Sequence, residues 1–161
     1  MKKTISLITV ALFAITAYSQ KNTDNIKGLT QLPGGIAYKL LYDKPGGATP
    51  NKGDFIEAHM YVNVDGLEIY NSRQLNEGKT VSFVMQPTGH KTDIQEVIKL
   101  MTPGDSAVIV FSVDSLLKTG IEQLNWMKPN TGQKAIYFVK MIALKPFGTK
   151  KEEPAAPAKK Q

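Results

Sequence analysis

Cysteine is absent from the sequence, so it holds no disulfide framework, thiolate metal site, cysteine nucleophile or acylated lipoprotein anchor. Histidine occurs twice, as His59 and His90, far apart and without companion ligands, so no metal site is indicated. Aromatic residues make up only 8%, with a single tryptophan, Trp126. The longest apolar run, Thr4 to Thr16, is shorter than the roughly 20 residues a bilayer span requires, and no stop-transfer cluster of charges follows it. No internal repeat is visible. Acidic residues are fewer than basic ones, 14 against 20, giving a net charge of +6. That imbalance invites a nucleic-acid reading until the charge is located.

Much of the excess sits at the ends. Lys2 and Lys3 precede the apolar run, and Ala17 and Ser19 follow it in the small-x-small pattern of a cleavage site. Residues 1–19 therefore read as a signal peptide, with Gln20 the first mature residue and the product exported to the periplasm or cell envelope. With no cysteine there, it is not expected to be a lipoprotein, and no transmembrane segment is expected after cleavage. Residues 20–32 are polar and read as a flexible leader. Residues 148–161 combine Pro154, Ala155, Ala156 and Pro157 with flanking charges and no apolar period. Such a basic Pro-Ala tail is expected to be disordered, or to tether the chain to an anionic surface or partner. Setting aside Lys2, Lys3 and the tail's four lysines and two glutamates leaves 14 basic and 12 acidic residues. A body so balanced argues against nucleic acid as partner.

Between the ends the pattern is β-rich. Ile36–Tyr42 reads as a strand, ended by Lys44-Pro45-Gly46-Gly47. Phe55–Val64 alternates Ile56, Ala58, Met60, Val62 and Val64 against Phe55, Glu57, His59, Tyr61 and Asn63. Asp65-Gly66 then signals a hairpin returning through Leu67–Tyr70. Thr80–Met85 gives a further strand. Ile94, Val97, Ile98 and Met101 fall on one helical face, with Asp93 and Glu96 at capping-box spacing and Pro103-Gly104 as the stop. Ser106–Ser112 and Lys134–Leu144 complete the strands, separated in part by a long loop, Lys118–Gln133. The expectation is an α+β domain over residues 33–147, with one short α-helix laid across a curved antiparallel sheet.

The order of these motifs resembles that of FKBP-type peptidyl-prolyl cis-trans isomerases. Gly35-Ile36-Ala37-Tyr38-Lys39-Leu40-Leu41 is similar to that family's first long strand. Pro50-Asn51-Lys52-Gly53-Asp54, His59 and Asp65-Gly66 resemble its central hairpin, and Leu100-Met101-Thr102-Pro103-Gly104-Asp105 its helix end and glycine turn. The resemblance implies an FKBP-like sheet wrapped around the helix, with proline bound in an apolar pocket between them, and no cofactor. Rotation about an X-Pro bond opposes amide resonance, a barrier of about 18–20 kcal/mol. A dry pocket that favours the twisted amide lowers it without covalent chemistry.

Carried over by position, the resemblance nominates Met60, Ile69, Tyr70, Val81, Phe83, Ile94, Leu117 and Tyr137 as substrate-binding pocket residues. Several depart from the family pattern. Met60 stands where active members carry a tyrosine, and Ile69-Tyr70 where they carry an aromatic and an acid. Val81 replaces an aromatic, Ile94 the tryptophan of the pocket floor, and Leu117 a tyrosine; Phe83 and Tyr137 keep their aromatic character. Met60 reads more readily as core packing, since Met fills irregular gaps, and Val81, Ile94 and Leu117 read equally as core or cleft. Trp126, on its loop, is a further candidate. Two functions remain open: an isomerase serving proline-containing protein or peptide clients outside the cytoplasm, or a non-catalytic chaperone or interaction module with an envelope protein partner.

Overall fold

The computed structural model describes residues 26–147, which form β1 (Thr30–Leu32), β2 (Ile36–Tyr42), β3 (Phe55–Val64), β4 (Leu67–Asn71), α1 (Ser72–Leu75), β5 (Val81–Val84), α2 (Gln95–Ile98), β6 (Ser106–Ser112), α3 (Val113–Leu117) and β7 (Lys134–Lys145). The expected signal peptide (1–19), the first part of the leader and the tail (148–161) lie outside these residues. The strands form one antiparallel sheet in the order β1-β2-β6-β7-β3-β4, with β5 also paired to β3. An FKBP-like α+β sheet is thus the observed architecture.

Alternation places the core. On β3, Ile56, Ala58, Val62 and Val64 are buried, as the period-2 pattern requires. Inward residues of β2, β3, β6 and β7 meet Val97, Ile98 and Met101 in the main cluster, which includes Ile36, Ile109, Phe111 and Met141. β6 lies between β2 and β7 and is buried on both faces from Ala107 to Phe111, which explains its uninterrupted apolar run. The Asp65-Gly66 turn has φ of 54° and 83°, the left-handed pair of a type I′ hairpin.

β3 shares one edge between two strands. Phe55–Ala58 pair with β5 and Tyr61–Val64 with β4. At the gap, the Met60 N–H donates to Ser72 Oγ at 2.9 Å. Ser72 is fully buried, so its hydroxyl supplies the acceptor that a neighbouring strand would otherwise provide.

Three expectations are corrected. The leader is not loose throughout: Thr30–Leu32 pair with Tyr38–Ile36, and Ile26 and Leu29 pack on a second cluster of Ala37, Val108, Val110 and Ile136. Its apolar residues cover the far face of the sheet, so folded structure begins before residue 33. The described residues hold three short helices rather than one. Asn71 Oδ1 caps α1 by accepting from the Arg73 N–H, and Ser112 Oγ caps α3 by accepting from the Ser115 N–H. The Asp93–Glu96 capping box does not close. Asp93 Oδ1 instead accepts from the Gln95 N–H at 2.9 Å, while the Glu96 carboxylate turns to Lys99, at 2.6 Å, and to the Thr88 hydroxyl.

Candidate active site

The loop preceding α2 is fastened on two sides. The Gln86 N–H donates to Gln95 Oε1 at 2.7 Å, and the Thr88 hydroxyl to Glu96. Hydrogen bonds from Lys99 and Thr88 hold the Glu96 carboxyl below its ordinary range despite partial burial. Further along, the Thr92 hydroxyl donates to the Gly34 carbonyl at 3.0 Å.

Two adjacent glycines make that approach possible. Gly34 has φ +90°, and a Cβ there would stand 2.5 Å from the Lys91 carbonyl oxygen. Gly35 has φ +80°, and its Cβ would meet Ser115 Oγ at 2.9 Å. The β1–β2 turn therefore touches both the loop before α2 and α3, bringing them over the same face of the sheet.

An open cavity of about 220 Å³ lies between them. Phe111 of β6 and Tyr137 of β7 face it from the sheet, Ile94 from the start of α2, and Leu116, Thr119 and Ile121 from α3 and the chain beyond. His90, Thr92 and Asp93 complete its lining. The Phe111 and Tyr137 rings stand edge to face, with centroids 5.1 Å apart at 73°, a favourable arrangement of ring quadrupoles. Burial pushes the Tyr137 phenol up from its ordinary value, so it keeps its proton at neutral pH and remains a hydrogen-bond donor. The cavity thus offers aromatic and aliphatic walls with a few hydroxyl and imidazole groups.

Of the pocket residues nominated from sequence, Ile94 and Tyr137 line this cavity. Met60 and Phe83 pack against the main core cluster without lining this cavity, and Met60 reaches a depression on the other side of the sheet. Val81 is half-buried on β5; Ile69 is exposed and Tyr70 half-buried on β4. Leu117 is half-buried without lining the cavity, and the neighbouring Leu116 takes that place. Trp126 is half-buried on a loop fixed toward the β3–β4 turn. There Met127 is buried, Lys128 N–H donates to Gln133 Oε1 at 2.7 Å, and Gln133 Nε2 donates to Asp65 Oδ2 at 2.7 Å.

Sequence reading missed Phe111, Leu116, Thr119 and Ile121. Ser112 was the available signal for two of them: as the cap of α3 it starts a helical turn that carries Leu116 inward beside Phe111. Among the described residues, no group of three or more His, Asp or Glu side chains could hold a metal ion, and no helix is long and apolar enough to cross a membrane.

The sheet order, the helix packed against one face and the cavity between them define an FKBP-type fold. Solved structures with this fold superpose on the chain. FkpA from Escherichia coli does so with a TM-score of 0.61 at 19% identity over 85% of this chain, which spans 61% of that protein's chain. A peptidyl-prolyl cis-trans isomerase from Pseudomonas syringae pv. tomato gives 0.59 at 16% identity, covering 89% of this chain and 100% of its own. The N-terminal domain of FKBP42 from Arabidopsis thaliana gives 0.58 at 12% identity, covering 75% and 94% respectively. No protein-family model and no curated protein matches the chain by sequence.

Proposed function

We propose that this chain is a peptidyl-prolyl cis-trans isomerase that takes the proline ring of an extended segment into the Ile94–Phe111–Tyr137 cavity. The observation that carries this reading is that cavity, aromatic and open, in the position where the fold holds a helix against a sheet. Its chemistry is suited to the task. Apolar walls displace water from the X-Pro amide, and loss of that hydration favours the twisted, less polar geometry over the planar one. The Tyr137 phenol, which stays protonated, is a donor for a carbonyl or the pyramidal nitrogen of the twisted amide. The isomerase named among the superposed structures agrees with the assignment. The apolar run before Ala17 and Ser19 supports action outside the cytoplasm, on proteins folding in the periplasm or envelope.

The aliphatic floor favours a second reading. With aliphatic Ile94 and Leu116 in its lining, the cavity has less polarisable surface for a proline ring, which suits a chaperone or interaction module that binds without turnover. Cis-to-trans relaxation of short proline peptides separates the two. Catalytic amounts of protein should speed relaxation, and Tyr137→Ala should slow it while the fold persists by circular dichroism. Relaxation at the buffer rate across several residues preceding proline would leave only the binding module.

A further inference from the structure

The opposite face of the sheet carries a second depression, of about 310 Å³. It is lined by outward positions of the same strands, with Met60, Ala107 and Val139 between them and Arg73 of α1 at its side. Tyr61 and Phe138 contribute rings 5.7 Å apart, and Leu41 a further apolar wall. Lys140 and Arg73 line it too, with His59. Tyr137 and Phe138 are successive residues of β7, so the two cavities occupy opposite faces of one strand.

Its charge is one-sided. No aspartate or glutamate lines the depression, and neither Arg73 nor Lys140 has an acidic partner among the described residues. Of the nearby acids, Glu57 pairs with Lys145, and Glu68 accepts from the amide of Asn71 at the groove's rim. His59 Nδ1 is shielded from solvent with no hydrogen-bond partner among the described residues, which is costly for a polar atom. Burial, with Arg73 and Lys140 alongside, pushes the imidazole below its ordinary value and keeps it neutral. A neutral imidazole can donate to or accept from a ligand without adding charge.

We propose that this outer-face groove binds an acidic peptide segment, with a carboxylate between Arg73 and Lys140 and an adjoining apolar side chain against Tyr61, Phe138 and Leu41. Two unpaired cations beside an aromatic pair match an Asp or Glu flanked by a large apolar residue, and carry no complement for a basic peptide. The inference stands apart from the prolyl reading, because the groove shares no residue with the cavity on the other face.

The test uses the full chain and a fluorescent, proline-free peptide alternating glutamate with leucine and phenylalanine, followed by anisotropy. The acidic peptide should bind, more weakly at high salt. Replacing its glutamates by glutamine should weaken binding by about tenfold or more, as should the double variant Arg73→Gln/Lys140→Gln. Both positions are exposed, and an unchanged thermal melt confirms that the variant is folded. The cavity variant Ile94→Lys should bind the peptide as the parent does. Equal affinity for the glutamine peptide overturns the proposal. So does undiminished binding by the double variant, which assigns binding to the lysine-rich tail. Loss of binding by an Ile94→Lys variant whose thermal melt shows it folded, or binding of phosphatidylglycerol vesicles with none of the peptide, overturns it as well.

Discussion

The two faces of the sheet are made by the same strands and behave as different materials. The helix face is a packed core with Val97, Ile98 and Met101 sealed against it, and its cavity is what remains where the loops fail to close. The outer face is covered at one end by Ile26 and Leu29, and elsewhere leaves Leu41, Phe138 and Ile142 exposed beside Lys140. The difference teaches that alternation assigns each residue a face, while the chain segments outside the sheet decide what each face becomes.

The most severe way to test that contrast is by truncation on each side. Ile98→Ala should cost about 2–5 kcal/mol, since the side chain is wholly enclosed. Phe138→Ala on the outer face, already 38% exposed, should cost about 1–2 kcal/mol. Urea unfolding of both variants checks the ordering, and equal losses would break the distinction. Ser72→Ala addresses the seam beside β3. It leaves the Met60 N–H without its acceptor and should cost about 1–3 kcal/mol, with the Met60 amide gaining hydrogen exchange more than its neighbours.

The smallest effect is in pH. Asp54 and Glu96 both have lowered pKa values: backbone N–H groups of Asn51 and Phe147 hold Asp54, and Lys99 holds Glu96. Their stabilisation is complete above the unfolded carboxylate range of about 3.9–4.3 and is lost as pH falls through the lower folded values. His59 is also lowered, by burial. Its share is present above about pH 6.5 and disappears as pH falls through its folded value. Melting temperature measured against pH should therefore decline in two windows. His59→Gln should flatten the upper one and leave the lower intact.

Much of this architecture was legible because strand alternation is local and long. Phe55–Val64, Ile36–Tyr42 and Ser106–Ser112 have the bounds that their patterns implied. The helices α1 and α3 were not legible: four or five residues are too few for an amphipathic period to show, though Asn71 and Ser112 marked their starts. Little of the cavity lining was readable: Ile94 and Tyr137 were nominated from sequence. Both came from the family resemblance, carried over by position. Leu116 and Ile121 were not readable, because their placement depends on how the chain leaves β6. His90 and Thr92 depend on a loop whose path is fixed by Glu96 nearby and by Gly34, far off in sequence.

The strand order has a consequence in time. β7 is the last strand among the described residues, yet it runs between β6 and β3, pairing with both along its length. Until residues 134–145 are available, β1, β2 and β6 have no hydrogen-bonded link to β3, β4 and β5. A chain that emerges from its N-terminus first can therefore form two partial sheets and nothing more. The closing step joins residues distant in sequence, which favours slow folding and a lengthy exposure of both unpaired edges. β7 thus acts as a keystone: the two partial sheets become one only when residues 134–145 take their place between them.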